Sequence, residues 1–310
     1  MRDETSAGDG EARPGGQAVT RSGFVGILGR PNVGKSTLLN RILGQKVVIT
    51  SPKPQTTRNR VAGVLTRDGV QMVFFDTPGV HEGEKLLNRY MLKEALACVP
   101  DVDVALFLVD AVTGRHRDDE VLAEHLGRSG KPVILAVNKA DQGRTATEAF
   151  LDLVTPVSVH RISALTGEGV DGLLDDLAAR MPEGPAYFPE DQLTDRPERF
   201  LAEEFIREKL FELTGEEIPY SVAVTVESWQ ERPEADLVVI HATIHVERPS
   251  QKGIVIGKGG RLIKEVGRRA RLDLEALLGA RVFLDLHVTV DRNWTKDPRA
   301  LRRFGYEVRG

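Results

Sequence analysis

The sequence predicts an α/β fold followed by a smaller α+β unit, and three observations carry that prediction. The stretch GRPNVGKSTLLN sets Gly29, Arg30, Pro31, Asn32, Val33, Gly34, Lys35 and Ser36 in the spacing G-x-x-x-x-G-K-S, with Thr37 next. Short apolar runs that read as buried strands alternate with helical patterns up to residue 182. Beyond residue 200 the chain changes to paired β-branched runs around a second glycine loop.

In chain order, Phe24-Val25-Gly26-Ile27-Leu28 reads as a strand, and Leu38, Leu39, Ile42 and Leu43 as the apolar face of a helix. A glycine loop between them is a phosphate cradle: Gly29 and Gly34 let backbone N–H groups turn onto an anion, and the helix N-terminus adds its dipole. Lys35 would reach the β- and γ-phosphates, and the Ser36 hydroxyl would bind Mg²⁺. KPQTTRNR follows as a polar switch segment, Gln55, Thr56, Thr57 and Arg58, in which Thr56 or Thr57 has a hydroxyl for Mg²⁺. VAGVLT and QMVFF form a hairpin around Asp68-Gly69. The second strand runs into Asp76-Thr77-Pro78-Gly79, whose carboxylate suits Mg²⁺ and whose Gly79 N–H suits a γ-phosphate.

PVILAVNKAD is a buried strand ending in Asn138, Lys139 and Asp141. The Asp141 carboxylate can accept from the N1–H and N2 amine of guanine, a donor pair adenine lacks. Asn138 and Lys139 would brace base and loop, and the Ser163-Ala164 backbone in HRISALTG would meet guanine O6. All three motifs stand at the C-terminal ends of strands, the edge where open α/β sheets bind ligands. GTP or GDP with Mg²⁺ is therefore the expected ligand. The segment between Asp141 and Ile162 has room only for a short helix.

MPEGPAYFPEDQLTDRPERF is rich in proline and acidic residues, so residues 183–199 are expected to be a linker between a first domain at 22–182 and a second at 200–291. RFLAEEFIREKLFEL reads as a helix, YSVAVTVESW and LVVIHATIHVER as strands, GIVIGKGGRLIKEVGRRARLDLEALL as loop and helix, and RVFLDLHVTV as a last strand. Gly257-Lys258-Gly259-Gly260 is a loop a nucleic-acid backbone can approach closely. Arg261, Lys264, Arg268 and Arg271 form a basic stripe behind it, opposite an apolar face of Ile263, Val266, Ala270, Leu274 and Leu277. Residues 292–310 are a C-terminal tail, and the polar, glycine-rich residues 1–21 a disordered leader.

The bulk numbers exclude other classes. A chain of 310 residues suggests two domains, its single cysteine, Cys98, excludes a disulfide framework, and no apolar run is long enough to span a membrane. Cys98 sits in an apolar helical run and reads as an inert core thiol, fitting a reducing, cytoplasmic setting. Net charge is −4, so charge distribution and not total charge points to nucleic acid.

The first-domain motifs together resemble the translation-factor-related GTPases of the Ras-like P-loop superfamily, and the second-domain order resembles a type II KH domain. Both together, with QTTR, DTPG, NKAD, ISALTG, FPED, IREKL, PYSV, IGKGG and LRRFGY, resemble the Era family of ribosome-assembly GTPases from residue 22 onward. The resemblance implies slow GTP hydrolysis coupled to binding 16S rRNA near its 3′ end, and maturation of the small (30S) ribosomal subunit. It also implies a cytoplasmic monomer with peripheral contact at the inner face of the membrane, and it favours Thr57 as the Mg²⁺ threonine. Val80 follows the DTPG motif where Ras-type enzymes place a water-orienting glutamine, so the catalytic group is not legible. Asn32 stands where K⁺-activated relatives hold that ion. Two alternatives compete: an RNA-binding module that holds GTP without hydrolysing it, and another KH-bearing ribosome-assembly GTPase. A second G domain would mark the latter, and the sequence has one P-loop.

Overall fold

The computed structural model describes residues 18–53, 56–79, 86–143, 147–215 and 217–306, with the side chains of 86–89 excepted. Gln55, Val80 and the leader up to residue 17 lie outside the described residues.

The first domain is built on a six-stranded sheet in the order β2-β3-β1-β4-β5-β6. Its strands are β1 (Arg21–Leu28), β2 (Val61–Arg67), β3 (Val70–Asp76), β4 (Val104–Asp110), β5 (Val133–Asn138) and β6 (Ser158–Arg161). Only β2 runs antiparallel, as the hairpin partner of β3. Asp68 and Gly69 have φ of 51° and 75°, the positive pair a type I′ turn requires. The strands read as continuous apolar runs because both sheet faces are covered. Period-two alternation divides each strand between two cores. Val104, Leu106 and Leu108 face α1 (Lys35–Leu43) and α5 (Val170–Ala179), whereas Ala105, Phe107 and Val109 face α2 (Leu86–Ala97) and α3 (Arg117–Ser129). The short helix expected after Asp141 is α4 (Glu148–Leu151).

Cys98 follows the last residue of α2, fully buried, and burial pushes its thiol up to about 11, which leaves negligible thiolate at neutral pH.

The second domain has the element order α6 (Glu198–Leu213), β7 (Val222–Arg232), β8 (Leu237–Val246), α7 (Pro249–Ile256), α8 (Arg261–Leu278) and β9 (Arg281–Val290). β7 and β8 pair antiparallel and β8 and β9 parallel, so α7 and α8 form the crossover a parallel pair needs. Val266, Ala270 and Leu274 of α8 are buried against the sheet, as the apolar stripe predicts.

Two boundaries differ from expectation. Arg21 already belongs to β1, paired with Val70, and α6 starts at Glu198 rather than 200. The 183–199 segment is bound along the first domain rather than spanning freely: Gln71, fully buried, accepts from the Tyr187 and Phe188 N–H groups and donates to the Phe188 carbonyl. Val64 N–H donates to the Leu193 carbonyl and Ala62 N–H to Asp195 Oδ1, which covers the open edge of β2. The tail is also packed. A 3₁₀ turn at Trp294–Lys296 and helix α9 (Pro298–Arg303) bring Trp294, Leu301 and Tyr306 into one cluster with Tyr90 and Met91 of α2.

Candidate nucleotide site and nucleic-acid groove

The loop between β1 and α1 turns through two left-handed residues, Asn32 (φ 65°) and Gly34 (φ 104°). Gly34 has no substitute: a Cβ there would lie 2.4 Å from Asn138 Nδ2, which donates to the Val33 carbonyl and so ties the loop to the end of β5. Lys35 is buried, its ammonium lowered to about 8 by desolvation, and it donates to the Gly29 and Arg30 carbonyls at 2.9 and 3.0 Å. An anion beside it offsets that desolvation. The Arg30 side chain points elsewhere, 3.3 Å from Asp119 and 3.7 Å from Asp110, so Arg30 has only its backbone to offer a phosphate.

Ser36, Thr57 and Asp76 converge. Ser36 Oγ donates to Asp76 Oδ2 at 2.7 Å, and Thr57 Oγ1 lies 3.0 Å from Ser36 Oγ and 3.4 Å from Asp76 Oδ2. Thr56 turns away, its hydroxyl donating to the Lys53 carbonyl, so the geometry separates the two threonines the polar loop left open. Asp76 is buried and raised to about 6 by desolvation, against the opposing pull of Lys35 and the two hydroxyls, and its Oδ1 has no partner. A buried, unpartnered carboxylate oxygen beside two hydroxyls fits Mg²⁺, which takes few protein ligands and completes its shell with water and phosphate. Among the described residues no cluster of three or more His, Cys, Asp or Glu offers a closed metal cage. Thr77 spends its hydroxyl on the Ile27 carbonyl, buried at 2.8 Å, and so anchors the turn that places Gly79 against Pro31.

The base end is a cavity of about 590 Å³ lined by Asn138, Lys139, Asp141 and Ala164, with Thr50 and Glu212 opposite. Lys139 Nζ pairs with Asp110 at 2.7 Å, and Ser163 Oγ donates to Asp141 Oδ1 at 2.6 Å, which fixes the carboxylate's plane. The backbone expected to meet O6 is partly engaged: Ser163 N–H donates to the Glu168 carbonyl and Ala164 N–H to Asn138 Oδ1 at 2.8 Å. Buried N–H groups find partners in the fold itself, so a guanine oxygen has to share the Ala164 donor.

In the second domain the GKGG turn joins α7 to α8 with Gly257, Gly259 and Gly260 all at positive φ. A Cβ on Gly257 would meet Leu262 at 2.8 Å, whereas Gly259 and Gly260 face open space. Arg261, Lys264, Arg268 and Arg271 are exposed along α8 as expected. Lys264, Arg268 and Arg271 border a groove of about 410 Å³ whose other wall is β9, with Phe283 54% exposed and able to stack on a base. Arg268 is not a free cation: Glu265 accepts its guanidinium twice at 2.8 Å and also pairs with Arg269, which holds the Glu265 carboxyl down at about 2.

Arg58, expected in a polar switch loop, is fully buried between the domains. Two residues before it, the Thr56 carbonyl accepts from Arg207 of α6. Lys46 pairs with Glu208 and Asp273, Thr50 N–H donates to Glu208 Oε1 at 2.8 Å, and Lys53 donates to the Phe211 and Thr214 carbonyls. Lys46, Thr50, Lys53, Thr56 and Arg58 are therefore all engaged by the second domain. Sequence reasoning gave no role to Arg207 and Glu208 of IREKL or to Tyr306 of LRRFGY, and it missed Trp294. The apolar spacing of Trp294, Leu301, Phe304 and Tyr306 in a charged tail is the signal that would have found the last two.

A doubly wound sheet with a glycine cradle, a Ser–Thr–Asp oxygen cluster and a packed second domain carrying a GKGG turn defines a P-loop GTPase joined to a KH domain. Profiles agree: that of the 50S ribosome-binding GTPase family matches residues 24–139 and that of the KH domain residues 217–295. The chain is 51% identical to GTPase Era of Geotalea uraniireducens, over 93% of this chain and 98% of that one. It is 49% identical to GTPase Era of Syntrophus aciditrophicus, over 96% and 99%. Two solved structures superpose with TM-scores of 0.87 at 41% identity, covering 93% of this chain and all of theirs. One is a variant of Aquifex aeolicus Era bound to GDP·AlF₄⁻, the other Era with MgGDPNP and nucleotides 1506–1542 of 16S ribosomal RNA. The chain belongs to the Era GTPase family, and it binds guanine nucleotide and hydrolyses GTP.

Proposed function

We propose that the chain is a GTP-hydrolysing switch that binds 16S rRNA near its 3′ end and assists maturation of the small ribosomal subunit. The observation that carries this reading is the placement of Thr50, Thr56, Thr57 and Arg58 between a phosphate cradle and an RNA-binding fold. A relative of the same architecture holds MgGDPNP and nucleotides 1506–1542 of 16S ribosomal RNA together. On this reading the backbone of Gly29 to Thr37 wraps the phosphates, Lys35 meets the β- and γ-phosphates, and Ser36, Thr57 and Asp76 hold Mg²⁺. When bound, that ion neutralises charge on the β- and γ-phosphoryl oxygens. Asn138 and Lys139 brace the loop, Asp141 reads the guanine edge, and Gly79 N–H approaches the γ-phosphate. Gly257, Lys258, Gly259, Gly260, Arg261, Lys264 and Arg268 follow the RNA backbone. The chain works as a cytoplasmic monomer with peripheral contact at the inner membrane face; among the described residues no helix is long and apolar enough to cross a membrane.

Single-turnover GTP hydrolysis, with and without an RNA of the 3′-terminal 16S sequence, tests the reading. Turnover is expected to be slow alone and faster with the RNA, and a chain that neither binds this RNA nor responds to it is not such a switch.

A monovalent cation is part of the same reading. Asn32 Nδ2 donates to the Pro52 carbonyl at 2.8 Å, which leaves the Asn32 oxygen as the end free for a cation beside the phosphates. Positive charge there stabilises the leaving oxygen as an arginine finger does. GTP turnover in K⁺ is expected to exceed that in Na⁺ at matched ionic strength, and Asn32→Ala to abolish the difference. Equal rates in both salts remove the cation; a K⁺ effect that survives Asn32→Ala moves its ligand elsewhere.

A further inference from the structure

We infer that Arg58 is a positioning residue: it fixes Thr57 beside Ser36 and Asp76 by anchoring the switch segment in the second domain and the C-terminal segment. The inference rests on the reading that Thr57 contacts Mg²⁺ in the GTP-bound state.

The anchor is specific. Arg58 Nη1 donates to the Val222 carbonyl at 2.8 Å and to Tyr306 Oη at 3.2 Å, and Nη2 donates to the Pro219 carbonyl at 3.0 Å. The guanidinium also lies 5.8 Å from the Trp294 ring centre and 5.7 Å from that of Tyr306, within cation–π range. Trp294 is itself fixed, its indole N–H donating to the Ser221 carbonyl at 3.0 Å. Every one of these partners lies outside the first domain. The peptide before Thr57 is held in the same way, by Arg207 on the Thr56 carbonyl. Thr57 thus stands between two residues that the second domain holds, while its own hydroxyl faces the first domain's oxygen cluster.

A packing role alone does not account for this residue. Arg58 is 1% exposed, its contacts are with carbonyls, one hydroxyl and aromatic faces, and its Nε has no partner. A charge buried among neutral acceptors costs more than an apolar side chain filling the same space. What the arginine supplies is direction: three hydrogen bonds from a rigid fork set where the backbone runs. Consecutive Cα atoms are about 3.8 Å apart, so Thr57 cannot shift far while Arg58 stays seated. Seating of Arg58 and closure of Thr57 on the metal site are therefore linked, and linkage is reciprocal. The tail makes a second contact with the nucleotide side: Tyr306 packs edge-on against Tyr90, 5.9 Å between ring centres, and Tyr90 Oη donates to Asn59 Oδ1 at 2.7 Å.

The test uses the protein's own fluorophore. The sequence has two tryptophans, and Trp229→Phe leaves Trp294 as the only one. Trp294 emission is then followed in the full chain while Mg²⁺ is titrated into its complexes with GDP or with a non-hydrolysable GTP analogue. Mg²⁺ is expected to change the emission in the triphosphate complex far more than in the GDP complex. Arg58→Ala should raise the Mg²⁺ half-saturation of the triphosphate complex about tenfold, within the usual range of coupling between sites, and leave that of GDP unchanged. Arg58→Lys should recover part of the loss. Tyr306→Leu, which keeps the Pro219 and Val222 bonds, should give a smaller shift of the same kind. If Arg58→Ala fails to fold, the lysine and Tyr306 variants decide alone. Equal shifts in both nucleotide complexes, or none in either, overturn the inference. Thr57→Ala separates the two layers: no effect of this variant on Mg²⁺ half-saturation sinks the Thr57 reading. An effect of Thr57→Ala without one of Arg58→Ala sinks the positioning role alone.

Discussion

Asp141→Asn is expected to cost this GTPase its affinity for GTP and give it affinity for xanthosine triphosphate. The carboxylate lines the base cavity, and Ser163 Oγ, donating to Oδ1 at 2.6 Å, holds it in one plane while Oδ2 stays available. Guanine brings two donors, N1–H and the N2 amine, to that acceptor edge. Asparagine replaces one acceptor by a donor and sets N–H against N–H. A site built to pair a substrate's hydrogen-bonding groups rejects a mismatch by roughly 10⁴-fold. Xanthine carries an oxygen where guanine carries the amine, and that oxygen suits the new amide donor. The neighbouring contacts are retained, because Asn138 ties Val33 to Ala164 and Lys139 pairs with Asp110 whatever stands at 141. Equilibrium binding of labelled GTP and XTP to both proteins checks the exchange, and unchanged GTP affinity in the variant removes Asp141 from base recognition.

The contrast between Asp141 and Arg58 shows what the sequence made legible. Asp141 belongs to a motif whose parts are contiguous: a buried apolar run, then a strand end, then a polar tetrad. The hairpin at Asp68-Gly69, the strand–loop–helix around Lys35 and the GKGG turn are local in the same sense, because φ preference and apolar period act over a few residues. Arg58 meets Val222, Pro219 and Tyr306 across at least 161 residues of chain, and Gln71 meets Phe188 across 117. No local period encodes such pairings. A polar loop docked on a second domain has the same composition as one in water, and a linker that covers a strand edge is as rich in proline as one that swings free. Arg30 makes the same point within a motif: the P-loop pattern specifies its backbone, while its side chain follows the distant carboxylates of Asp110 and Asp119.

Replacing both Lys258 and Gly259 by aspartate is expected to abolish rRNA binding while GTP binding persists. Gly259 sits at φ 62° with open space where a Cβ would project, so the new side chain strains the turn's backbone but meets no atom of the domain and enters the volume a phosphate needs. Lys258 changes from cation to anion at the head of α8, where the helix dipole otherwise favours the RNA's negative charge. Two carboxylates facing a polyanion lower affinity by about 100-fold or more at physiological salt, since the counterion release that Lys258 drives is lost and like-charge repulsion is added. The substituted turn belongs to the second domain and, among the described residues, takes no part in the hydrogen bonds of Ser36, Thr57 or Asp76, so nucleotide affinity serves as the control for folding. Arg268→Ala should weaken binding less and reduce the salt slope by about one phosphate contact. That smaller effect has a structural cause: Glu265 already takes two hydrogen bonds from Arg268, so RNA has to compete for this guanidinium, and its loss leaves Glu265 paired with Arg269 alone. Filter binding of the 3′-terminal 16S RNA across a salt series measures both variants. If the double variant binds with wild-type affinity and slope, the RNA clamp lies elsewhere than the GKGG turn.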